Sequence, residues 1–366
     1  VKTLEAWVPR RGLSIPCVTV VDPDGHVLED DQRRLVRFLI QSGRGADVLF
    51  AMGTTGEWNR IDRDGRRLVM QVAVEEVRKS DAALEQRGHP AVEAWVGVTG
   101  ASASETLENL DYALSIGADA AVIAPLAIRD VSDPVRFFMR DVADLLDERD
   151  QRIPIFLYDN ADIAAGDERF LRTRWVKSMS RLDFVRGIKV SAPPRRLGHY
   201  TKAARQFRDL GEFGIYVGNA LYILEMMRPR AGVVGKLIEH WNRFLLHDML
   251  PAGVVAGPAN LWPREWQYAW QVASAADVER MEQVQRIFER FRSICVFPEG
   301  KRSLAVLKRG LLRMGVISSD AVCAGTPALD AAQAERFDAD LEALQGDARA
   351  VLPARWCSDP GEAKGA

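Results

Sequence analysis

Lys189 stands two residues beyond Gly187 in the run Phe184-Val185-Arg186-Gly187-Ile188-Lys189-Val190. In an extended segment residues i and i+2 share a face, so the amine lies on the glycine's side. A lysine drawn toward an apolar interior loses solvation, which favours a neutral amine able to attack a carbonyl and form a Schiff base. The competing reading is a lysine that snorkels outward or pairs with a carboxylate such as Asp159. Gly187 favours the first, because an absent side chain beneath Lys189 leaves space for a bound substrate.

Tyr158 closes the apolar run Ile153 to Tyr158 and is followed by Asp159 and Asn160. By strand parity Tyr158 shares a face with Phe156, which would bring its hydroxyl to the mouth of a sheet or barrel as a proton relay. An amphipathic rim tyrosine satisfies the same pattern. A third feature is Gly53-Thr54-Thr55-Gly56-Glu57, a turn whose glycines can take positive φ and whose successive N–H groups and two hydroxyls suit a carboxylate. The plainer reading is a turn capped by threonine side chains.

Other chemistry-bearing residues carry less. His240 and His247 are seven apart on a helical pattern, with Glu239 and Asp248 adjacent. That spacing differs from the i, i+4 histidine pair that shares a zinc, and no metal site is expected. Trp262, Trp266 and Trp270 recur at helical spacing and read as core or subunit interface, since no basic stripe accompanies them as it would on a nucleic-acid platform. Phosphate-binding Gly-x-Gly-x-x-Gly, P-loop and serine-elbow motifs are not found.

The elements that must position these groups alternate from end to end. Eight short apolar runs, Leu13 to Val21, Asp47 to Met52, Val92 to Val98, Ala118 to Leu126, Ile153 to Tyr158, Phe184 to Val190, Phe213 to Val217 and Gly253 to Gly257, are separated by helical patterns. Leu68 to Val77 and Thr106 to Leu114, the latter after Ser104 as N-cap, are clear examples. Eight βα units predict an α/β fold, a (β/α)8 TIM barrel, whose reactive groups sit at the C-terminal ends of strands, and the ~250 residues typical of that fold leave room for extras. A doubly wound sheet normally uses fewer strands. The barrel is expected over residues 12–276, with an insertion at about 226–250 containing a helix from Gly235 to Leu246. A C-terminal helical extension is expected over 277–345, with helices Val278 to Ile294, Ser303 to Met314 and Ala332 to Leu344, before a mobile tail over 346–366.

Composition narrows the partners. Of 366 residues, 47% are hydrophobic and 27% charged, an ordinary globular profile. Net charge is −2, from 49 basic and 51 acidic residues, so no global field gathers nucleic acid or anionic membrane, and a small molecule is the expected partner. Cys17, Cys295, Cys323 and Cys357 lie far apart without a Cys-x-x-Cys pair, as expected of reduced thiols in a cytoplasmic protein. The N-terminal stretch carries Lys2, Glu5, Arg10 and Arg11 and lacks an uninterrupted apolar region, and nothing approaches the ~20 apolar residues of a membrane span.

In combination, Gly53-Thr54-Thr55-Gly56-Glu57, Tyr158 and Gly187-Ile188-Lys189, each at the end of its expected strand, resemble the dihydrodipicolinate synthase/N-acetylneuraminate lyase family of pyruvate-dependent Schiff-base aldolases. Ile15-Pro16, Gly218-Asn219 and the stretch Val254 to Pro263 with its Ala259-Asn260-Leu261-Trp262-Pro263 ending add to the likeness, which spans about residues 12 to 345. The resemblance implies a class I aldolase mechanism without metal or organic cofactor. Lys189 would condense with the ketone of a 2-oxo acid, Tyr158 would shuttle protons, and Thr54 would complete the catalytic set. Thr54 and Thr55 would bind the carboxylate, with Gly53, Gly56, Asn160, Gly218, Asn219 and Val255 lining the substrate. It also implies a homo-oligomer, a dimer or tetramer.

Departures from the family bear on the substrate. After the fourth strand this chain has Ala124-Pro125-Leu126-Ala127 where the synthases have a threonine, a proline and two tyrosines, so the second relay tyrosine is missing. Asp159-Asn160-Ala161-Asp162-Ile163 stands where the synthases carry an asparagine, a proline and an arginine that grips the second substrate. Both losses argue against synthase activity, and Ile163 with the polar Asp159/Asn160 pair suits lyases or dehydratases acting on hydroxylated sugar acids. The expected activity is therefore carbon–carbon cleavage of a 2-keto-3-deoxy sugar acid or analogue, releasing pyruvate. The alternatives are dehydration through the same imine, dihydrodipicolinate synthesis, or 2-oxo-acid binding without catalysis. The insertion at 226–250 would act as a lid over the catalytic face or as a subunit contact.

Overall fold

Short segments rich in valine, isoleucine and alanine, buried almost throughout, become parallel strands because both faces of each must be covered. In the computed structural model, which describes residues 4, 7–192, 200, 213–230, 232–241, 251–298 and 300–364, these are β1 (Gly12–Pro16), β2 (Val48–Ala51), β3 (Glu93–Gly97), β4 (Ala120–Ile123), β5 (Ile155–Asn160), β6 (Val185–Ser191), β7 (Gly214–Val217) and β8 (Gly253–Val255). They follow chain order in a closed barrel, the expected (β/α)8 topology. The helices are α1 (Glu29–Ile40), α2 (Arg63–Gln86), α3 (Ala103–Ser115), α4 (Pro134–Phe137), α5 (Ala143–Glu148), α6 (Thr173–Met179), α7 (Tyr222–Met226), α8 (Gly232–Trp241), α9 (Pro263–Ser274), α10 (Val278–Ile294), α11 (Ser303–Arg313) and α12 (Ala331–Val351). α3 begins two residues earlier than Ser104 predicts: Ser102 caps it, its hydroxyl accepting the Glu105 N–H at 3.2 Å.

Contacts divide the chain into two compact units, residues 12–94 with 256–366, and residues 1–11 with 95–255. In the first unit β1 pairs with β2 from Ser14↔Val48 to Pro16↔Phe50. The strand ends sooner than its apolar run because the following N–H groups are taken by side chains. Val18 donates to Asn260 Oδ1 at 3.1 Å and Val20 to Gln32 Oε1 at 2.9 Å. Asn260 also donates to the carbonyls of Pro16 and Gly257, both at 2.8 Å, so one amide ties the end of β1 to the turn that leads into α9.

The tryptophans of α9 are core, as one reading of their spacing predicts. Trp266 stacks on Phe288 of α10 at 4.0 Å, and Trp262 lies 5.0 Å from Phe291. The C-terminal segment corrects the expectation of a mobile tail over 346–366. α12 runs on to Val351, and beyond it Trp356 is buried, Arg264 pairs with Glu362 at 2.7 Å, and Ser358 donates its N–H to the buried Glu265 at 2.9 Å. A polar composition suggested mobility, but buried anchors on α9 hold the segment.

The second unit contains an aromatic layer. Trp95 stacks on Phe156 at 4.1 Å, Tyr216 meets both rings edge-on at 4.9 and 5.4 Å, and Trp7 closes on Phe156 at 5.9 Å. The register of β5 and β6 shifts between Ile155↔Val185 and Phe156↔Gly187, leaving Arg186 as an extra residue in β6. Its buried side chain donates to the Trp7 carbonyl at 2.7 Å, and the Tyr216 hydroxyl donates to the Arg10 carbonyl. The bulge sets the next pairs, and Tyr158 comes opposite Lys189. The inserted helix, expected over Gly235 to Leu246, is α8, with Val233, Val234, Leu237 and Ile238 exposed. Residues 242–250, with His247 and Asp248, lie outside the described residues, and the lid expectation rests partly on them.

Candidate active site

The chemistry in the second unit gathers where β5, β6 and β7 end. Tyr158 pairs with Lys189, and Lys189 in turn with Tyr216. Lys189 and Tyr158 are each 6% exposed, and the lysine Nζ lies 4.0 Å from the centre of the Tyr158 ring. The lysine therefore does not snorkel to solvent. Strand alternation turns the Asp159 carboxylate to the other face, where it accepts the Leu171 N–H at 2.8 Å and the Tyr200 hydroxyl. The expected polar pair Asp159/Asn160 is thus divided, with only Asn160 on the Tyr158 side.

Gly187 does not make room for substrate. A Cβ there would sit 2.2 Å from Phe156 Cε1 and 2.5 Å from the Gly214 carbonyl, so the space beneath Lys189 belongs to the aromatic layer. The glycine lets Phe156 approach and thereby gives the lysine an apolar floor.

Asn160, expected against substrate, contacts Tyr158. Its Oδ1 accepts the Asp162 N–H at 3.1 Å, capping the short turn Ala161–Ile163, and its Nδ2 donates to the Tyr158 hydroxyl at 3.0 Å. Ser191, two residues past Lys189 and so on the same face, places Oγ 3.4 Å from that hydroxyl. Sequence reasoning missed Ser191, although the i+2 spacing from Lys189 was the signal. Gly218 donates its N–H to the Val190 carbonyl at 2.8 Å, and a Cβ on it would meet Ser191 Oγ at 2.2 Å, so close approach requires glycine. Asn219 is exposed after β7, whereas Val255, the last residue of β8, is buried.

In the first unit Thr54–Gly56 forms a short 3-10 turn after β2. The positive φ angles fall on Met52 and Glu57 at 55° and 54°, not on the glycines as expected. Gly53 is extended at φ −82° and is small for another reason: a Cβ would lie 2.7 Å from Phe50 Cε1. The N–H groups of Gly56 and Glu57 bond back to the carbonyls of Gly53 and Thr54 at 2.9 and 3.2 Å, so they are spent within the turn. Thr19 Oγ1 braces it, donating to the Gly56 carbonyl at 2.7 Å.

Glu57 is the unforeseen member. Its side chain is 1% exposed and pairs at 2.6 Å with the fully buried Lys308 of α11, while accepting the Cys323 N–H at 3.0 Å and the Thr326 hydroxyl at 2.6 Å. A lysine between Leu307 and Leu311 on an otherwise apolar helix stripe was the available signal. The nearby Cys323 thiol is pushed up to about 11, first by burial and then by the Glu57 charge, and burial pushes Cys17 up to about 12; both are poor nucleophiles. All four cysteines are free thiols. Among the described residues, the one group with metal-ligand proximity is Asp22, Asp24 and His26, on an open loop, and no helix is long and apolar enough to cross a membrane.

Comparison with known proteins finds similarity in sequence and in fold. Residues 9–125 match the dihydrodipicolinate synthetase family. That match covers about a third of the chain. The 4-hydroxy-tetrahydrodipicolinate synthase of Ralstonia nicotianae is 27% identical over 275 residues, covering 75% of this chain and 78% of that one. Among solved structures, Escherichia coli YagE, a prophage protein of the dihydrodipicolinic acid synthase family solved with pyruvate, superposes with TM-score 0.70 at 18% identity, covering 92% and 98% of the two chains. The sialic acid aldolase of Ruminococcus gnavus gives TM-score 0.73 at 15% identity, covering 93% and 99%. These two likenesses establish that the family's fold is shared.

Proposed function

We propose that this protein is a Schiff-base lyase of the dihydrodipicolinate synthetase family, in which Lys189 condenses with the ketone of a 2-oxo acid. The observation that carries the reading is the buried Lys189 amine 4.0 Å over the Tyr158 ring on an apolar floor, an arrangement that lowers the solvation of a cation and keeps a phenol beside the reacting nitrogen. The imine serves as an electron sink, and Tyr158 moves protons during its formation and during carbon–carbon cleavage. Thr54 and Thr55, at the end of β2, are proposed to take the substrate carboxylate, since the later N–H groups of their turn are engaged.

For the substrate we propose a 2-keto-3-deoxy sugar acid or an analogue cleaved to pyruvate and an aldehyde. Ala124-Pro125-Leu126-Ala127 and Asp159 to Ile163 lack the second tyrosine and the arginine of the synthases, which supports cleavage over synthesis. The relatives include a putative 2-dehydro-3-deoxy-D-gluconate aldolase, YagE of Escherichia coli, 27% identical over 158 residues.

Borohydride reduction in the presence of pyruvate, followed by peptide mass mapping, tests the reading. A reduced adduct on Lys189, lost in Lys189→Ala, is expected. Sugar-acid turnover retained by a folded Lys189→Ala variant refutes the mechanism.

A further inference from the structure

Tyr158 alternates between phenol and phenolate in the proposed cycle, so the groups around its oxygen bear on each proton transfer. Collapse of a carbinolamine at Lys189 breaks the carbon–oxygen bond as the phenol proton passes to the departing hydroxyl. Water leaves, the nitrogen lone pair closes the C=N bond as an iminium, and Tyr158 remains as phenolate. The phenolate then takes a proton from the adjacent carbon, giving the enamine and restoring the phenol. The rate depends on how well the surroundings tolerate the phenolate and on how its proton exchanges with solvent.

Among the described residues, Asn160 and Ser191 meet the phenol oxygen. Asn160 offers Nδ2 at 3.0 Å, and its orientation is set by the other end of the same amide, whose Oδ1 accepts the Asp162 N–H at 3.1 Å. An amide NH2 only donates, so the phenol oxygen is the acceptor in this contact, an interaction that strengthens when that oxygen is charged. Ser191 approaches at 3.4 Å with a hydroxyl that both donates and accepts, and it is half-buried where Tyr158 is buried.

We propose that Asn160 and Ser191 complete the proton relay of this site: Asn160 stabilises the Tyr158 phenolate, and Ser191 passes protons between the phenol and water. The proposal rests on Lys189 being the imine-forming residue. It assigns Asn160 to positioning, acting through Tyr158.

The test uses pyruvate alone, which needs no knowledge of the aldehyde. Exchange of its methyl protons in D2O is followed by NMR across pH for the wild-type protein, Asn160→Asp and Ser191→Ala, with borohydride trapping on Lys189 measured in parallel. Asn160→Asp keeps the oxygen that caps the turn and exchanges the donor facing Tyr158 for an acceptor. Its exchange rate is expected to fall about tenfold or more, and the alkaline limb of its pH profile to move upward. Ser191→Ala, which removes one oxygen without touching the turn, is expected to lose roughly three- to tenfold. Trapping on Lys189 at saturating pyruvate is expected in all three. Exchange within twofold of wild type in both variants, or a loss with the alkaline limb unmoved in Asn160→Asp, overturns the relay while a labelled Lys189 leaves the Schiff-base reading intact. An unlabelled Lys189 in the wild-type protein overturns both.

Discussion

Lys308→Met removes a cation that is fully buried and paired at 2.6 Å with a carboxylate only 1% exposed. Methionine fills most of the aliphatic volume, so the packing of α11 against its neighbours is retained and the perturbation is mainly electrostatic. Glu57 keeps two donors, the Cys323 N–H at 3.0 Å and the Thr326 hydroxyl at 2.6 Å, but loses the positive charge that offset its removal from water. Breaking one side of such a buried pair costs about 3–5 kcal/mol. The accompanying loss of the Lys308 bond to the Ala321 carbonyl at 2.9 Å adds about 1 kcal/mol at most. Combining it with Glu57→Gln leaves a neutral amide whose oxygen can still accept from Cys323 and Thr326, and the double variant is expected to recover most of the loss, to within about 1–2 kcal/mol of wild type. Urea unfolding followed by tryptophan fluorescence and circular dichroism supplies the free energies. A single variant within about 1 kcal/mol of wild type, or a double variant as unstable as the single one, refutes the claim that charge compensation at Glu57 holds this node.

Two further predictions concern other buried groups. Gly187→Ala places a Cβ 2.2 Å from Phe156 Cε1 and 2.5 Å from a backbone carbonyl, and overpacking of this kind costs about 1–3 kcal/mol or more, read as a lowered urea midpoint; an unchanged midpoint contradicts the account of the aromatic floor. Burial pushes Glu265 up from 4.5 to about 7, a raised folded-state value. Its contribution therefore favours the folded state at acid pH and is lost as pH rises between these two values. Glu265→Gln is expected to gain about 2 kcal/mol on wild type between pH 5 and pH 8 in unfolding titrations, and parallel curves would disprove the assignment.

Much of the framework was legible in the chain itself. The alternation of β-branched runs with amphipathic helices determined the eight strands and their order, because strand and helix periods are local properties of side-chain direction. Spacing also brought Tyr158 and Lys189 to strand ends and identified the Thr54-Thr55 turn. Register and side-chain partnership were not local. The bulge at Arg186 depends on the buried bond to Trp7, and it decides that Tyr158 faces Lys189. Gly187 read as space for substrate because nothing in the sequence says that the Phe156 ring occupies that volume.

The same distinction separates the polar groups. Asp159 and Asn160 are adjacent and chemically alike, yet alternation sends one to Tyr200 and Leu171 and the other to the Tyr158 hydroxyl. Glu57 meets Lys308 across 251 residues, and Glu265 meets Ser358 across 93. By itself the sequence determined the barrel, the order of its strands and the placing of Lys189 and Tyr158 at strand ends, since each follows from patterns within a few residues. Only the tertiary structure decided which neighbours desolvate and hydrogen-bond those groups, because that depends on which distant segments the closed fold makes adjacent.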